Sequence, residues 1–355
     1  MRLVKFQYYE PSWNMDNMVE LENVALFVGQ NAMGKSKLIE RIKSVVKYIL
    51  QLKEPSQYTN FVMRLGWEDE QKNQIEYLFN FLNGEVDEES MWFNEEEILK
   101  RTKGAPTMLK GKTVNPPANK LVVGTQRDVI LYPEFERIVK WAESVVCISF
   151  NELDILGDKN NAGLGLKKNL CDIVKDLSPE SKDKVIEAAK RLNYPISKIS
   201  AVSFGDIRKV TFKENGVPRT LMDTTTSKGM FRALYLLIII EYLSSLTISN
   251  DKLLIIDDMC EGLDYARSIS LGKEILHCAD EQNIQLIMSS NDNFLMDVVD
   301  LHYWQIIQRE GVKISTINHS NSPKIFENFK YTGLSNFDFF SSDFIKRQRQ
   351  KDEQA

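Results

Sequence analysis

The 355-residue chain is poor in the residues that build metal and redox centres. Its three histidines, His277, His302 and His319, are isolated, and its four cysteines, Cys147, Cys171, Cys260 and Cys278, form no C-x-x-C pair. That scatter argues against a zinc site or a disulfide framework and for reduced thiols in the cytoplasm. No catalytic triad and no nuclease carboxylate set is visible. The first residues, Met1-Arg2-Leu3-Val4-Lys5-Phe6, read as a strand and lack the apolar core of a secretory signal. One apolar stretch, 230–246, resembles a membrane span, yet it carries Arg232 and Glu241. It also falls short of the roughly 20 residues needed to cross a bilayer. It reads instead as a helix buried on all sides, and no membrane partner is expected. The net charge of −5 speaks against bulk nucleic-acid binding and leaves room for a local basic groove. No internal repeat is present.

What the chain does have is Gly29-Gln30-Asn31-Ala32-Met33-Gly34-Lys35-Ser36, a match to the phosphate-binding pattern G-x-x-x-x-G-K-[ST]. An apolar run, Val24-Ala25-Leu26-Phe27-Val28, leads in as a buried strand. An amphipathic helix leads out from Lys37. The glycines let backbone N–H groups close around phosphates, and the helix N-terminus adds partial positive charge. In such a loop Gly29, Asn31, Gly34 and Lys37 surround the phosphates. Lys35 reaches the terminal ones and the Ser36 hydroxyl ligates Mg²⁺. Tyr8, Tyr9 and Trp13 lie just upstream. One of them stacks on a purine base, or, the commoner use, all pack under the sheet.

Further along, 74–81 alternates loosely and ends at the hairpin signal Asn83-Gly84. Segments 99–109 and 121–123 read as further strands of an antiparallel sheet, broken at Gly104-Ala105-Pro106 and Asn115-Pro116-Pro117. Residues 135–145 have helical spacing, and 151–165 read as a polar loop. A helical segment over 166–193 breaks at Ser178-Pro179, where Ser178 can cap a new helix. A β-hairpin is expected over 201–222, turning at Asn215-Gly216. Alternation then returns: buried strands at 253–256 and 284–288 flank a helix over 265–280. A closing hairpin pairs 303–307 with 313–317.

Two further motifs carry chemistry. Leu253-Leu254-Ile255-Ile256-Asp257-Asp258 delivers carboxylates at the C-terminal end of a buried strand, where α/β sheets bind ligands. Asp257 suits the Mg²⁺ shell, and Asp258 follows where a water-activating carboxylate is wanted. Ser227-Lys228-Gly229 opens the buried helix. It is either an anion-receiving terminus or a plain N-cap cluster.

In the order phosphate loop, Ser227/Gly229 signature, Asp257-Asp258, then Glu261-Gly262-Leu263-Asp264, the chain resembles the RecF/SMC/OLD branch of ABC-type ATPases over about residues 1–320. Within that branch it most resembles compact AAA-family ATPases of bacterial antiphage systems. The resemblance implies an α/β P-loop ABC-type ATPase head with an antiparallel β-subdomain and a short helical arm. The expected divisions are a 1–150 lobe, a 151–222 arm and hairpin, a 223–322 signature lobe, and a 323–355 aromatic tail with a disordered charged end. It implies ATP and Mg²⁺ as cofactors, with Ser227 and Gly229 meeting the γ-phosphate of a second copy in a homodimer or higher oligomer. It also implies slow hydrolysis controlling a separately encoded nuclease or toxin. A RecF-like DNA-binding repair ATPase and an ATP-stabilised scaffold are the alternatives. Asp258 stands where many relatives have Glu, and Asn291 or Asp292 where many have a switch histidine. Asn291 can hydrogen-bond a phosphate or water but accepts no proton. Gln126 is a candidate Mg²⁺ sensor, with Arg127 beside it, or both are simply a polar strand end. In the tail, Phe326, Phe329 and Tyr331 are expected in the chain's own core and 334–340 at an interface.

Overall fold

The computed structural model describes residues 1–149, 168–204, 207–246, 252–330, 332, 334–341, 344 and 345. The expected loop at 151–165 and the charged end at 346–351 lie outside the described residues. Two compact units emerge: Met1–Val145 with Gln305–Ser322, and Val146–Trp304 with Pro323–Ala355.

The first unit begins with β1 (Arg2–Glu10), β2 (Trp13–Met15), β3 (Val19–Glu20) and β4 (Val24–Val28), followed by α1 (Lys35–Ile49). Five strands that follow in order, β5 (Phe61–Glu68), β6 (Gln74–Leu82), β7 (Glu85–Phe93), β8 (Glu96–Thr102) and β9 (Thr107–Leu109), pair antiparallel with their neighbours, as does β10 (Lys112–Val114) with β9. Ile75, Tyr77, Phe79 and Phe81 alternate inward along β6, where Phe81 meets Phe61 and Tyr48 of α1. The β6–β7 turn uses left-handed Asn83 (φ 53°) and Gly84 (φ 78°), the conformation that suits a two-residue hairpin. Two helices complete this part, α2 (Val122–Thr125) and α3 (Pro133–Ser144), the latter burying Phe135, Ile138, Val139 and Ala142.

One expectation fails here. Residues 121–123 are not a strand but the entry to α2. The cause is Glu89, a fully buried carboxylate on β7. It accepts the Val122 N–H at 2.7 Å and the Tyr77 hydroxyl at 2.7 Å, which pulls the chain into a helical turn. Arg101 pairs with Glu89 at 3.3 Å and pins the preceding loop through Pro117 O and Lys120 O, both at 2.8 Å.

The second unit opens with β11 (Val145–Ser149), then α4 (Leu170–Asp176) and α5 (Pro179–Arg191). Ser178 caps α5 by accepting from Ser181 N at 3.0 Å, as its position before Pro179 suggests. The hairpin expected over 201–222 is a three-stranded antiparallel sheet: β12 (Ile196–Phe204), β13 (Ile207–Glu214) and β14 (Thr220–Met222). Asn215-Gly216 turns its second pair. The two residues between β12 and β13, Gly205-Asp206, are a sequence signal for a further turn that the hairpin expectation did not use, and they lie outside the described residues. Next come α6 (Lys228–Ser245), β15 (Leu253–Asp257), α7 (Tyr265–Glu281), β16 (Gln285–Ser289) and α8 (Asn293–Val298). β15 and β16 are parallel and buried throughout, which explains their unbroken apolar sequences. α6 is buried nearly all round. Among the described residues no helix is long and apolar enough to cross a membrane.

The chain returns to the first unit with β17 (Trp304–Glu310) and β18 (Lys313–Ile317), an antiparallel pair that places β2 beside β18 and β4 beside β17. It ends in the second unit with α9 (Pro323–Lys330) and α10 (Asn336–Ser341). Phe326 and Phe329 are buried as expected, and Tyr331 lies outside the described residues. The segment expected at an interface is instead partly core. Phe339 is fully buried against Phe326, Phe329 and Trp304, and Asn336 donates to Val299 O at 3.0 Å. An apolar helix face of this size stabilises its own unit before it can serve a partner.

Candidate functional site

β4 delivers the chain to Gly29, and α1 leaves from Gly34, so the loop between them is set by sheet and helix. Gly29 is tightly packed, and Gly34 has no room for any other residue. A methyl on Gly29 would lie 3.2 Å from Ile307 O on β17. Gly34 has φ 102°, and a methyl there would lie 1.6 Å from Trp13 Cη2. Trp13 is thus the floor under the loop. With Tyr8 equally buried, neither is available to stack on a base, whereas Tyr9 is 47% exposed.

No side chain caps α1. Its first residue, Lys35, is buried, and its ammonium donates to Gly29 O at 2.8 Å and Gln30 O at 3.4 Å. Asn31 is exposed on the loop and Ser36 on the first turn of α1. Lys37 lies 4.6 Å over the Trp13 ring and pairs with Glu10. Arg41 also pairs with Glu10, at 3.1 Å. Burial resists ionisation of Glu10, but the bonds from Lys37 and Tyr8 and the charge of Arg41 outweigh it and hold the carboxyl below its usual range. A helix N-terminus opened by a left-handed glycine, with an ammonium beside it, fits a phosphate chain. Gln126, in the same unit, ends α2 and is half-buried, with its N–H on Val122 O at 2.9 Å. Arg127 is held by Glu136 in a fork of 2.8 and 2.7 Å.

The second unit gathers the remaining candidates. Asp257 ends β15 as a buried carboxylate and accepts from Ser289 Oγ at 2.5 Å. The same hydroxyl accepts the Asp258 N–H at 2.9 Å, and Met259 N donates to Ser289 O at 3.0 Å. Ser289 ends the neighbouring parallel strand, so register alone brings it to Asp257. It is a positioning residue that sequence reasoning missed, although a Ser-Ser pair closing an apolar strand was the available signal. Asp258 sits at φ 54°, followed by left-handed Cys260 and Gly262. Asn291 is exposed just past β16. Asp292 caps α8 through Leu295 N at 2.8 Å, which makes it a structural group.

Ser227 caps α6 by accepting from Met230 N at 3.4 Å. Gly229 is packed so tightly that a methyl would meet Gly262 O at 2.8 Å. Arg232 clamps the same turn through Glu261, to its carbonyl at 2.5 Å and its carboxylate at 3.0 Å. The signature turn and the 261–264 turn are therefore one braced element. Asp264 caps α7 through Arg267 N at 3.1 Å.

Solved structures share this architecture. A crystal structure of the Smc head bound to the C-winged helix domain of ScpA matches with a TM-score of 0.58 at 12% identity, over 91% of this chain and 100% of that one. The fold is that of an SMC head. The SMC head domain from Thermotoga maritima matches with a TM-score of 0.50 at 14% identity, over 90% of this chain and 99% of that one. Neither a protein-family model nor a curated protein matches the sequence. The SMC-head fold agrees with the α/β head expected from the motif order.

Proposed function

We propose that this chain is an ABC-type ATPase. It binds ATP with Mg²⁺ on the loop 29–36, hydrolyses it slowly, and when loaded pairs with a second copy to control a separately encoded effector in antiphage defence. The observation that carries the ATP reading is the start of α1: a phosphate-loop sequence, a left-handed Gly34 as its N-cap, and the Lys35 ammonium at the loop carbonyls. The SMC-head fold supports it. Pairing, effector control and the defence setting rest on the motif resemblance.

In this reading Gly29, Asn31, Gly34, Lys35 and Lys37 bind the phosphates. Ser36, Asp257 and Gln126 hold the metal, which neutralises phosphate charge when bound. Ser289 fixes the Asp257 carboxylate. Asp258 takes the proton of the attacking water, and the exposed Asn291 amide orients that water. Ser227 and Gly229 face the second copy. Phosphate release by Asp258→Asn, measured beside calorimetric ATP titration, tests this. Asn tolerates the left-handed backbone at this position, so the variant should fold. Turnover should fall about 100-fold or more with affinity unchanged. Undiminished turnover moves the proton acceptor elsewhere.

A RecF-like DNA-binding reading has one observation in its favour. Lys198 on β12 lies directly across from Lys213 on β13, a like-charge pair that a phosphate backbone would relieve. DNA-stimulated turnover that weakens steeply with salt is its signature.

A further inference from the structure

The second unit carries a groove of about 400 Å³ between α5, α6 and α7 that nothing above uses. Val185 and Ala188 of α5 and Leu237 and Ile240 of α6 line its apolar floor, each almost wholly buried. The rim is acidic: six carboxylates line the groove against two permanent cations. Both cations are already engaged, Arg191 by Glu274 at 2.9 and 2.5 Å and Lys184 by Glu180 at 3.7 Å. Asp183 and Glu241 have no ion pair among the described residues.

Glu241 gives the groove its direction. It is the only carboxylate of α6, a helix otherwise devoted to the core, and it is itself half-buried on the groove wall. A carboxylate beside an apolar wall without a counter-charge costs free energy, which an incoming cation recovers.

We propose that this groove docks an amphipathic α-helix of a partner protein, with its apolar stripe on the floor and its Lys or Arg residues against the rim. Helix-in-groove binding needs an apolar channel walled by rigid elements, and three helices supply it. The excess of carboxylates sets the sign of the partner's charge. The inference rests on the reading of the chain as the controller of a separate effector, and it places the docking helix on that effector. Cys278 also lines the groove. It is the one cysteine of the four that is not buried, and burial with the nearby carboxylates pushes its thiol up to about 11. It therefore serves as a slowly alkylated reporter and not as a catalytic nucleophile.

Two synthetic peptides of about 18 residues test the proposal, long enough for several helical turns. Both carry Leu at i, i+3, i+4 and i+7; one has Lys at the other positions and its twin has Glu. At about 0.15 M salt the Lys peptide should bind the full chain at least tenfold tighter than its twin. It should also slow alkylation of Cys278 by N-ethylmaleimide. Asp183→Lys with Glu241→Lys should reverse the preference. Asp183→Lys alone, at an exposed position, should narrow it even where the double variant folds poorly. Equal binding of the two peptides, an unprotected Cys278, or an unchanged preference in Asp183→Lys overturns the proposal. Lys35→Ala should bind the Lys peptide as the natural sequence does. A failed peptide titration therefore counts against the groove, and a failed ATP titration against the ATPase reading.

Discussion

α1 and α6 both begin where the sequence promises an anion, and they begin differently. α1 starts from left-handed Gly34, an N-cap with no side chain to spend on the helix. α6 starts from Ser227, which caps it internally, and is braced by Gly229 on Gly262 and by Arg232 on Glu261. The first terminus has no cap side chain of its own, while the second has already spent one donor on its cap. Affinity for nucleotide should therefore reside in the first unit. The α6 terminus is a braced platform, and under the proposed reading it is the one that faces a second copy.

The largest effect that sharpens this contrast comes from the second unit's own core. Phe339→Ala should cost roughly 3–5 kcal/mol of stability, the usual range for emptying a buried aromatic site. ATP affinity in the folded fraction should stay unchanged, as checked by denaturant melts beside calorimetry. A stability near that of the natural sequence would return 334–340 to the status of an interface segment.

Next is the pair of glycines. Gly34→Ala meets both a left-handed backbone and the Trp13 ring, a combined cost of roughly 2–5 kcal/mol, and should abolish ATP binding. Gly229→Ala meets only the Gly262 carbonyl, at roughly 1–3 kcal/mol, and should leave monomer affinity intact while impairing assembly. Thermal melts, titration and light scattering separate the two, and equal losses of affinity would erase the contrast.

These predictions also show what could be read in advance. The places in the fold of Gly29, Gly34, Lys35, Asp257 and Ser227 were legible because glycine turns between strand and helix, strand-end carboxylates and caps are local patterns with fixed spacing. The apolar runs of β15, β16 and α6 were legible for the same reason. Ser289, Trp13 and Glu89 were not, because each acts through register or packing between elements far apart in sequence. For Trp13 the sequence leaves base stacking and packing under the sheet open and favours packing, which its burial bears out; its place under Gly34 is what could not be read. The α2 turn was misread as strand because its cause is a carboxylate 33 residues earlier.

A smaller effect is expected at the α6 cap. Ser227→Ala should cost about 1 kcal/mol, typical of losing an N-cap oxygen, with a matching fall in melting temperature and no change in ATP affinity. A tenfold affinity loss would mean that the α6 terminus binds nucleotide within one copy.

The smallest effect, and the one with a pH signature, belongs to Glu10. Its carboxyl is held below the usual range, so its ion pairs stabilise the chain above the unfolded-state value of about 4.3 and stop doing so as pH falls through the lower folded value. Glu10→Gln should be destabilised by less than about 1 kcal/mol at neutral pH. The two proteins should converge in strong acid. A gap that persists or widens there would assign the stabilisation to packing of Lys37 and Arg41 on Trp13 and Tyr8.

The central claim is that the α1 start is a nucleotide site, and calorimetric titration with ATP and Mg²⁺ tests it most directly. The natural sequence should bind, and Lys35→Ala, still folded by circular dichroism, should bind about 10- to 150-fold more weakly, the cost of losing a hydrogen bond to a charged group. Equal affinity in the two proteins, or no binding in either, would contradict the account.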